Sequence, residues 1–383
     1  MTIHQDLRLV SDPAPFKVQS KASPITVIGR VIHFLGLLYL FFASIKLMST
    51  AFRMGGAGLA DQLLNMASDP VSGLLIGFLA TALIQSSSTT TTIVVGLVAS
   101  GALTIELAVP IIMGANIGTT TTNTLVSLTL VARPAEFERA FAASTVHDFF
   151  NVLAAFTLLP VEILFHPVQK TAVFLQSVFA DVGGMSLADP FDRIVGPPAE
   201  FLSELIPSPS ILGFLSLVLL IGALLGMMKV MKGVVLQRME RLFDRVLFRN
   251  DAASFTLGVV ATATVQSSSA TTSLIVPLAG TGVLTLRQIF PYTIGANIGT
   301  TITAILASFS TGSSAAVTVA LAHLTFNVFA VAIFYPLKAL PIGLARRWGT
   351  FAARSKVSGA TVVSVYIALI VIPLAYIIWS AKG

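Results

Sequence analysis

Residues 85–92 read QSSSTTTT and residues 266–273 read QSSSATTS, so a side-chain amide followed by a run of hydroxyls occurs twice in otherwise apolar surroundings. Amides and hydroxyls are neutral donors and acceptors that must be paired when buried. Any single Ser or Thr in an apolar helix is accounted for by a bond back to the preceding turn. A run of this length, repeated, instead suits a polypeptide that leaves the helix and lines a wet cavity, the one place irregular backbone is tolerated at membrane depth. A second pair of motifs, GANIGTT at 114–120 and 295–301, sets Asn116 and Asn297 between glycines. Gly at that interval permits an unwound turn, and it equally serves close helix packing in lipid. Asp148 is the one acid well inside an apolar stretch, a candidate cation ligand or proton site, with a salt bridge or water-facing position as the plainer reading. His147 and His323 read as structural hydrogen-bonding residues.

This set of groups recognises ions better than it performs reactions. The polar segments contain no Lys or Arg near their centres, leaving neutral donors and helix N-termini for an anion and oxygen acceptors for a hard cation. An anion held without a fixed positive charge gains from a mobile cation beside it, which is a rationale for coupling to sodium. A phosphate-cradling P-loop is excluded because no Lys follows the glycines. The absence of Cys excludes a thiolate nucleophile, a disulfide or a thiolate metal site. A Ser hydrolase would need a base and oxyanion donors, and the hydroxyl run names neither, so no enzyme is expected. A channel, or a carrier of sulfate, arsenate or a dicarboxylate, stays open on these residues alone.

The elements that must position these groups are membrane helices. Hydrophobic residues make up 55% of the chain and charged ones 10%, far from soluble averages. Seven apolar spans are expected, at 30–52, 105–130, 139–163, 209–231, 286–310, 314–337 and 358–379, beside polar-centred hairpins at 71–101 and 252–282. A shift of 181 residues lays 77–127 on 258–308 with about half the positions identical, and a shift of 176 lays HDFFN (147–151) on HLTFN (323–327). The expected fold is therefore all-α, with two repeats (29–165 and 209–340), each holding a re-entrant hairpin and a broken span, plus one extra C-terminal span in 358–383. An odd number of crossings per repeat inverts the second copy, the architecture of many secondary transporters. Residues 1–28 read as a cytosolic tail rather than a signal peptide, and 166–208, rich in Asp and Glu, as an outer segment. Lys229, Lys232, Arg238, Arg241, Arg245 and Arg249, and the linker 341–357 with Arg346, Arg347, Arg354 and Lys356, are placed in the cytosol by the positive-inside rule, not against nucleic acid.

The paired QSSS and GANIGTT motifs, with ERAFAASTVHDFFN at 138–151, resemble the type II sodium/phosphate cotransporter family over roughly residues 30–340. The resemblance implies sodium-driven uptake of inorganic phosphate across a plasma or bacterial inner membrane, with sodium as co-transported ion and protomers that work independently even in a homodimer. It implies a phosphate site at Gln85, Ser86, Ser87, Ser88, Asn116 and Thr119 with Gln266, Ser267, Ser268, Ser269, Asn297 and Thr300. Sodium ligands are implied among Asp148, Ser144, Thr145, Asn116, Thr120, Gln85, Gln266, Asn297 and Thr301. The acid after TVH is similar to that of electrogenic members, whereas Ser144 stands where those members carry a small apolar residue. The short chain without Cys in its outer segment resembles bacterial rather than animal members.

Overall fold

The computed structural model describes residues 24–66, 69–119, 121–184, 189–246 and 250–380, with side chains of a few of these outside the description. In chain order the helices are α1 (Pro24–Met66), α2 (Pro70–Ile84), α3 (Ser87–Ser100), α4 (Ile105–Gly118), α5 (Thr121–Leu128), α6 (Pro134–Phe165), α7 (Pro167–Asp181) and α8 (Asp189–Leu205). They continue with α9 (Pro209–Val246), α10 (Asp251–Val265), α11 (Ser268–Thr272), α12 (Ile275–Gly280), α13 (Leu286–Phe309), α14 (Ser314–Phe334), α15 (Ala339–Arg354) and α16 (Lys356–Ser380). Among the described residues six stretches are long and apolar enough to cross a membrane: Ile28–Gly56, Pro134–Phe165, Pro209–Met231, Leu286–Phe309, Ser314–Phe334 and Lys356–Trp379. The protein is an all-α, multi-pass membrane protein.

Of the two broken spans expected, one is present. The span anticipated at 105–130 is two short helices, α4 ending at Gly118 and α5 resuming at Thr121. Its counterpart was expected to break as well, yet α13 runs unbroken for 24 residues through GANIGTT. In both copies the glycines are spent on contact. A Cβ on Gly295 would run into the Phe255 carbonyl of α10, and one on Gly299 would come within 2.7 Å of Thr262 Cβ and Val259 O. Gly114 and Gly118 meet Leu74 and Phe78 of α2 in the same way. The break in the second copy falls instead in its hairpin, between α11 and α12. There Pro277 stands where the first copy has Gly96, and a Pro ring clashes with the carbonyl four residues earlier, that of Ser273. The basic linker 341–357 is largely helix α15, which packs on α6 with Gly349 against the Glu138 carbonyl.

The core mixes both halves of the chain. Phe150 of α6 meets Phe290 and Phe334 edge-on at 5.9 and 6.3 Å, in a cluster that also takes Met113 from α4 and Phe326 from α14. A second cluster joins Phe41, Ile45 and Met48 of α1 to Val95 of α3 and Met227 of α9. α16 leaves Val357, Ile367, Ile372 and Trp379 exposed, as a surface facing lipid does.

Candidate functional site

Each QSSS motif makes a helix-turn-helix tip by the same local chemistry. Gln85 closes α2 in the left-handed region (φ 60°, ψ 26°), its N–H bonded to Thr81 O at 2.7 Å. Ser86 turns extended and caps α3, accepting from Thr89 N at 3.2 Å. Gln266 (φ 61°, ψ 22°) closes α10 with the same bond to Thr262 O at 2.7 Å, and Ser267 caps α11 by accepting from Ala270 N at 3.2 Å. A hydroxyl pair clamps the arms of each tip: Thr81 to Thr90 at 2.9 Å, and Thr262 to Thr271 at 2.8 Å.

The fold brings the tips together. Ser88 Oγ donates to the Gln266 carbonyl at 3.3 Å, and Ser269 Oγ donates to the Thr119 carbonyl at 3.0 Å, where α4 has just ended. Ser87, Ser88, Ser268 and Ser269 are buried, Ser86 and Ser267 half-buried. The N-terminus of α3 opens at this place, with backbone N–H groups that favour negative charge.

Beside the tips runs a buried amide and imidazole chain. Asn151 Nδ2 donates to the Asn116 carbonyl at 2.7 Å, and Asn297 Nδ2 donates to Asn151 Oδ1 at 2.6 Å. His147 Nε2 lies 2.6 Å from Asn297 Oδ1. Because the Asn297 amide nitrogen is committed to Asn151, its oxygen accepts and His147 Nε2 carries the proton. This chain ties α4, α6 and α13 into one unit. Asn116 Nδ2 and Thr119 Oγ1 return to the carbonyls of Ile112 and Ala115 at 3.1 Å each, which uses the Thr119 proton and one of the two amide protons of Asn116.

A third cluster surrounds Asp148 on α6. Its Oδ2 accepts from Tyr366 Oη of α16 at 2.9 Å, and Thr124 Oγ1 of α5 donates to Tyr366 Oη at 3.4 Å. Next along α5, Asn123 Nδ2 donates to Thr272 Oγ1 at 2.8 Å, and Thr272 in turn reaches the Ser268 carbonyl at 2.7 Å. This corner therefore connects to the second tip. Ser144 and Thr145 sit on α6 but donate to the Phe141 carbonyl at 2.8 and 2.9 Å, and Thr300 and Thr301 donate to Asn297 O and Ile298 O at 2.6 and 2.7 Å. Such hydroxyls keep lone pairs for a cation and have no proton left for an anion. Thr120 lies outside the described residues.

Five members of these clusters escaped the sequence reading: Asn123, Thr124, Asn151, Thr272 and Tyr366. Asn151 carried a signal, one helical turn after His147 within the repeated HDFFN. Tyr366 carried none, because its helix has no partner in the repeat.

The described family Na+/Pi-cotransporter matches residues 40–184 and 218–377. Sodium-dependent phosphate transport protein 2B of Homo sapiens is 32% identical over 427 residues, covering 85% of this chain and 62% of that protein. Sodium-dependent phosphate transport protein 2A of Rattus norvegicus is 31% identical over 423 residues, covering 89% of this chain and 66% of its own length. The chain thus spans a little under two thirds of these relatives. No solved structure matches it. On the extent of that match, in which both tips and the Asp148 corner fall, the chain belongs to the Na+/Pi-cotransporter family.

Proposed function

We propose that this protein couples the inward movement of sodium to uptake of inorganic phosphate by alternating access. The observation that carries the reading is the meeting of the two tips, Ser88 on the Gln266 carbonyl and Ser269 on the Thr119 carbonyl, which builds one polar locus from both copies of the repeat. An arm such as α2, at 15 residues, extends about 22 Å against a hydrocarbon core of about 30 Å, so each hairpin re-enters rather than crosses. With re-entrant hairpins the second repeat is inverted, the N-terminus and both basic stretches face the cytosol, and the tips lie near the midplane of a plasma or inner membrane.

Phosphate is held by the hydroxyls of Ser87 and Ser268, by the amides of Gln85 and Gln266, and by the N-terminus of α3, while Ser88 and Ser269, whose protons go to the Gln266 and Thr119 carbonyls, brace the site. Sodium takes oxygens whose protons are committed elsewhere, those of Thr119, Ser144, Thr145, Thr300 and Thr301, together with Asp148. Asp148 ligates an additional sodium ion, so that the sodium ions carried outnumber the two negative charges of divalent phosphate and each cycle moves net positive charge inward. Each ligand raises affinity for the other because their charges are complementary at close range.

The experiment is uptake of labelled phosphate into proteoliposomes under an inward sodium gradient, with potassium in place of sodium as control and excess sulfate or succinate as competitor. Sodium-dependent uptake blocked by phosphate and arsenate alone is expected. Uptake indifferent to sodium overturns the coupling, and block by sulfate or succinate moves the substrate to another oxyanion or a dicarboxylate.

A further inference from the structure

α16 belongs to neither copy of the repeat, and most of its surface faces outward. Its inner face is different. Tyr366 packs against the cluster of Phe137, Phe141, Ala352 and Val362, so its ring is held by apolar contacts while its hydroxyl reaches Asp148. The result is a directed chain, Thr124 to Tyr366 to Asp148, drawn from α5, α16 and α6. Nothing equivalent exists in the second copy, where Asn123, Thr124 and Asp148 are replaced by Ala304, Ile305 and Leu324.

We propose that Tyr366 is a positioning residue for a cation site at Asp148, and that the last helix is thereby part of the coupling machinery. The inference rests on the reading of Asp148 as a sodium ligand. The residue type suits the task. A Lys or Arg in this place would pair with the carboxylate and oppose a cation, whereas a phenol orients one carboxylate oxygen and leaves the negative charge for the ion. Apolar packing of the ring supplies the rigidity that a flexible donor would lack.

The test is Tyr366→Phe, which removes one oxygen and keeps the ring, in the full chain reconstituted in proteoliposomes. The measured quantities are the sodium concentration for half-maximal phosphate uptake, the phosphate KM at saturating sodium, and net charge moved per phosphate. A roughly tenfold rise in the sodium requirement is expected, on the scale of a lost hydrogen bond to a charged group, with the phosphate KM at saturating sodium within about twofold of the unaltered protein. Thr124→Val, the upstream link, shifts the sodium requirement in the same direction by less and reads the same chain should Tyr366→Phe fold poorly. In an Asp148→Asn background Tyr366→Phe adds no further change. A sodium requirement for Tyr366→Phe that is unchanged or lowered overturns the proposal. So does an equal shift from Val363→Ala, an exposed neighbour on the same helix, which would mark a general packing effect. If Asp148→Asn itself leaves both the sodium requirement and the charge per phosphate unaltered, the reading of Asp148 fails. If Asp148→Asn changes them and Tyr366→Phe does not, only the role of Tyr366 fails.

Discussion

The two tips differ by about one degree in φ at their glutamines, yet Gln85 is exposed and Gln266 is buried. The same contrast runs through the helices behind them. His147 closes a chain of bonds through Asn297 and Asn151 to the backbone of Asn116, whereas neither ring nitrogen of His323 makes a hydrogen bond among the described residues, although His323 is fully buried. Thr272 pairs with Asn123, while its counterpart Thr91 faces a copy in which that Asn is Ala304, and Thr91 Oγ1 makes no hydrogen bond among the described residues. Local sequence therefore reproduces each tip, and contacts between the copies make the two surroundings unequal. The first copy's α6 carries a polar chain that reaches two other helices and an acid, and the second copy's α14 carries neither.

The comparison is broken most forcefully where the copies are alike. A Cβ on Gly77 would collide with the Ile111 carbonyl, and one on Gly258 with the Tyr292 carbonyl, both backbone atoms of the helix packed against the hairpin. Gly77→Ala and Gly258→Ala are each expected to cost about 3 kcal/mol or more, because a helix must move rather than a side chain. Thermal unfolding in detergent should show two similar losses, and tolerance of one of them would mean that the hairpins are not packed alike.

The histidines sharpen it. His147→Leu strands the buried Asn297 Oδ1 and is expected to cost about 1–3 kcal/mol more than His323→Leu, which removes two nitrogens that make no bond. The same melting experiment decides this, and equal costs would refute the inequality of the two copies.

The smallest effect lies at the hairpin bases. Asp69 caps α2 by accepting from Val71 N and Ser72 N at 2.9 and 3.0 Å, whereas Asp251 at the start of α10 pairs with Lys338 at 2.5 Å and accepts from Tyr335 Oη at 2.9 Å. The Lys338 hydrogen bond, ahead of partial burial that opposes it and of Tyr335, holds the Asp251 carboxyl below its ordinary value of 3.8. A depressed folded value means the contribution is complete above 3.8 and fades as pH falls through the lower folded value. The pair is more than a third exposed, so Asp251→Asn is expected to cost less than about 1 kcal/mol at neutral pH. That difference should shrink in melts taken at progressively more acid pH, and a difference growing toward acid would reverse the sign.

Much of the site was legible before the structure because it rests on local rules. An amide that can enter the left-handed region followed by a Ser that caps a helix makes a tip wherever it occurs, and the doubled motif marks both tips. HDFFN and its partner located His147, Asp148 and the second histidine. The glycines of GANIGTT were ambiguous by nature, since one residue type serves both unwinding and close approach, and only the facing carbonyls of Leu74 and Phe255 show that they pack. The α13 helix stays whole, and the second copy's break falls at Pro277, whose effect could be assigned only once its neighbours were known to be helical.

Composition, periodicity and the internal repeat determined a membrane-embedded helical protein with two polar tips and one acid well inside an apolar stretch, because these properties depend on residue type and short spacing. The pairing of Ser88 with Gln266, the chain from Asn116 to His147, and the reach of Tyr366 to Asp148 were decided by the tertiary structure alone. Those partners lie between 35 and 218 positions apart, far beyond any helical period, and they meet because helices that bury their own backbone bonds are free to be arranged by side-chain packing.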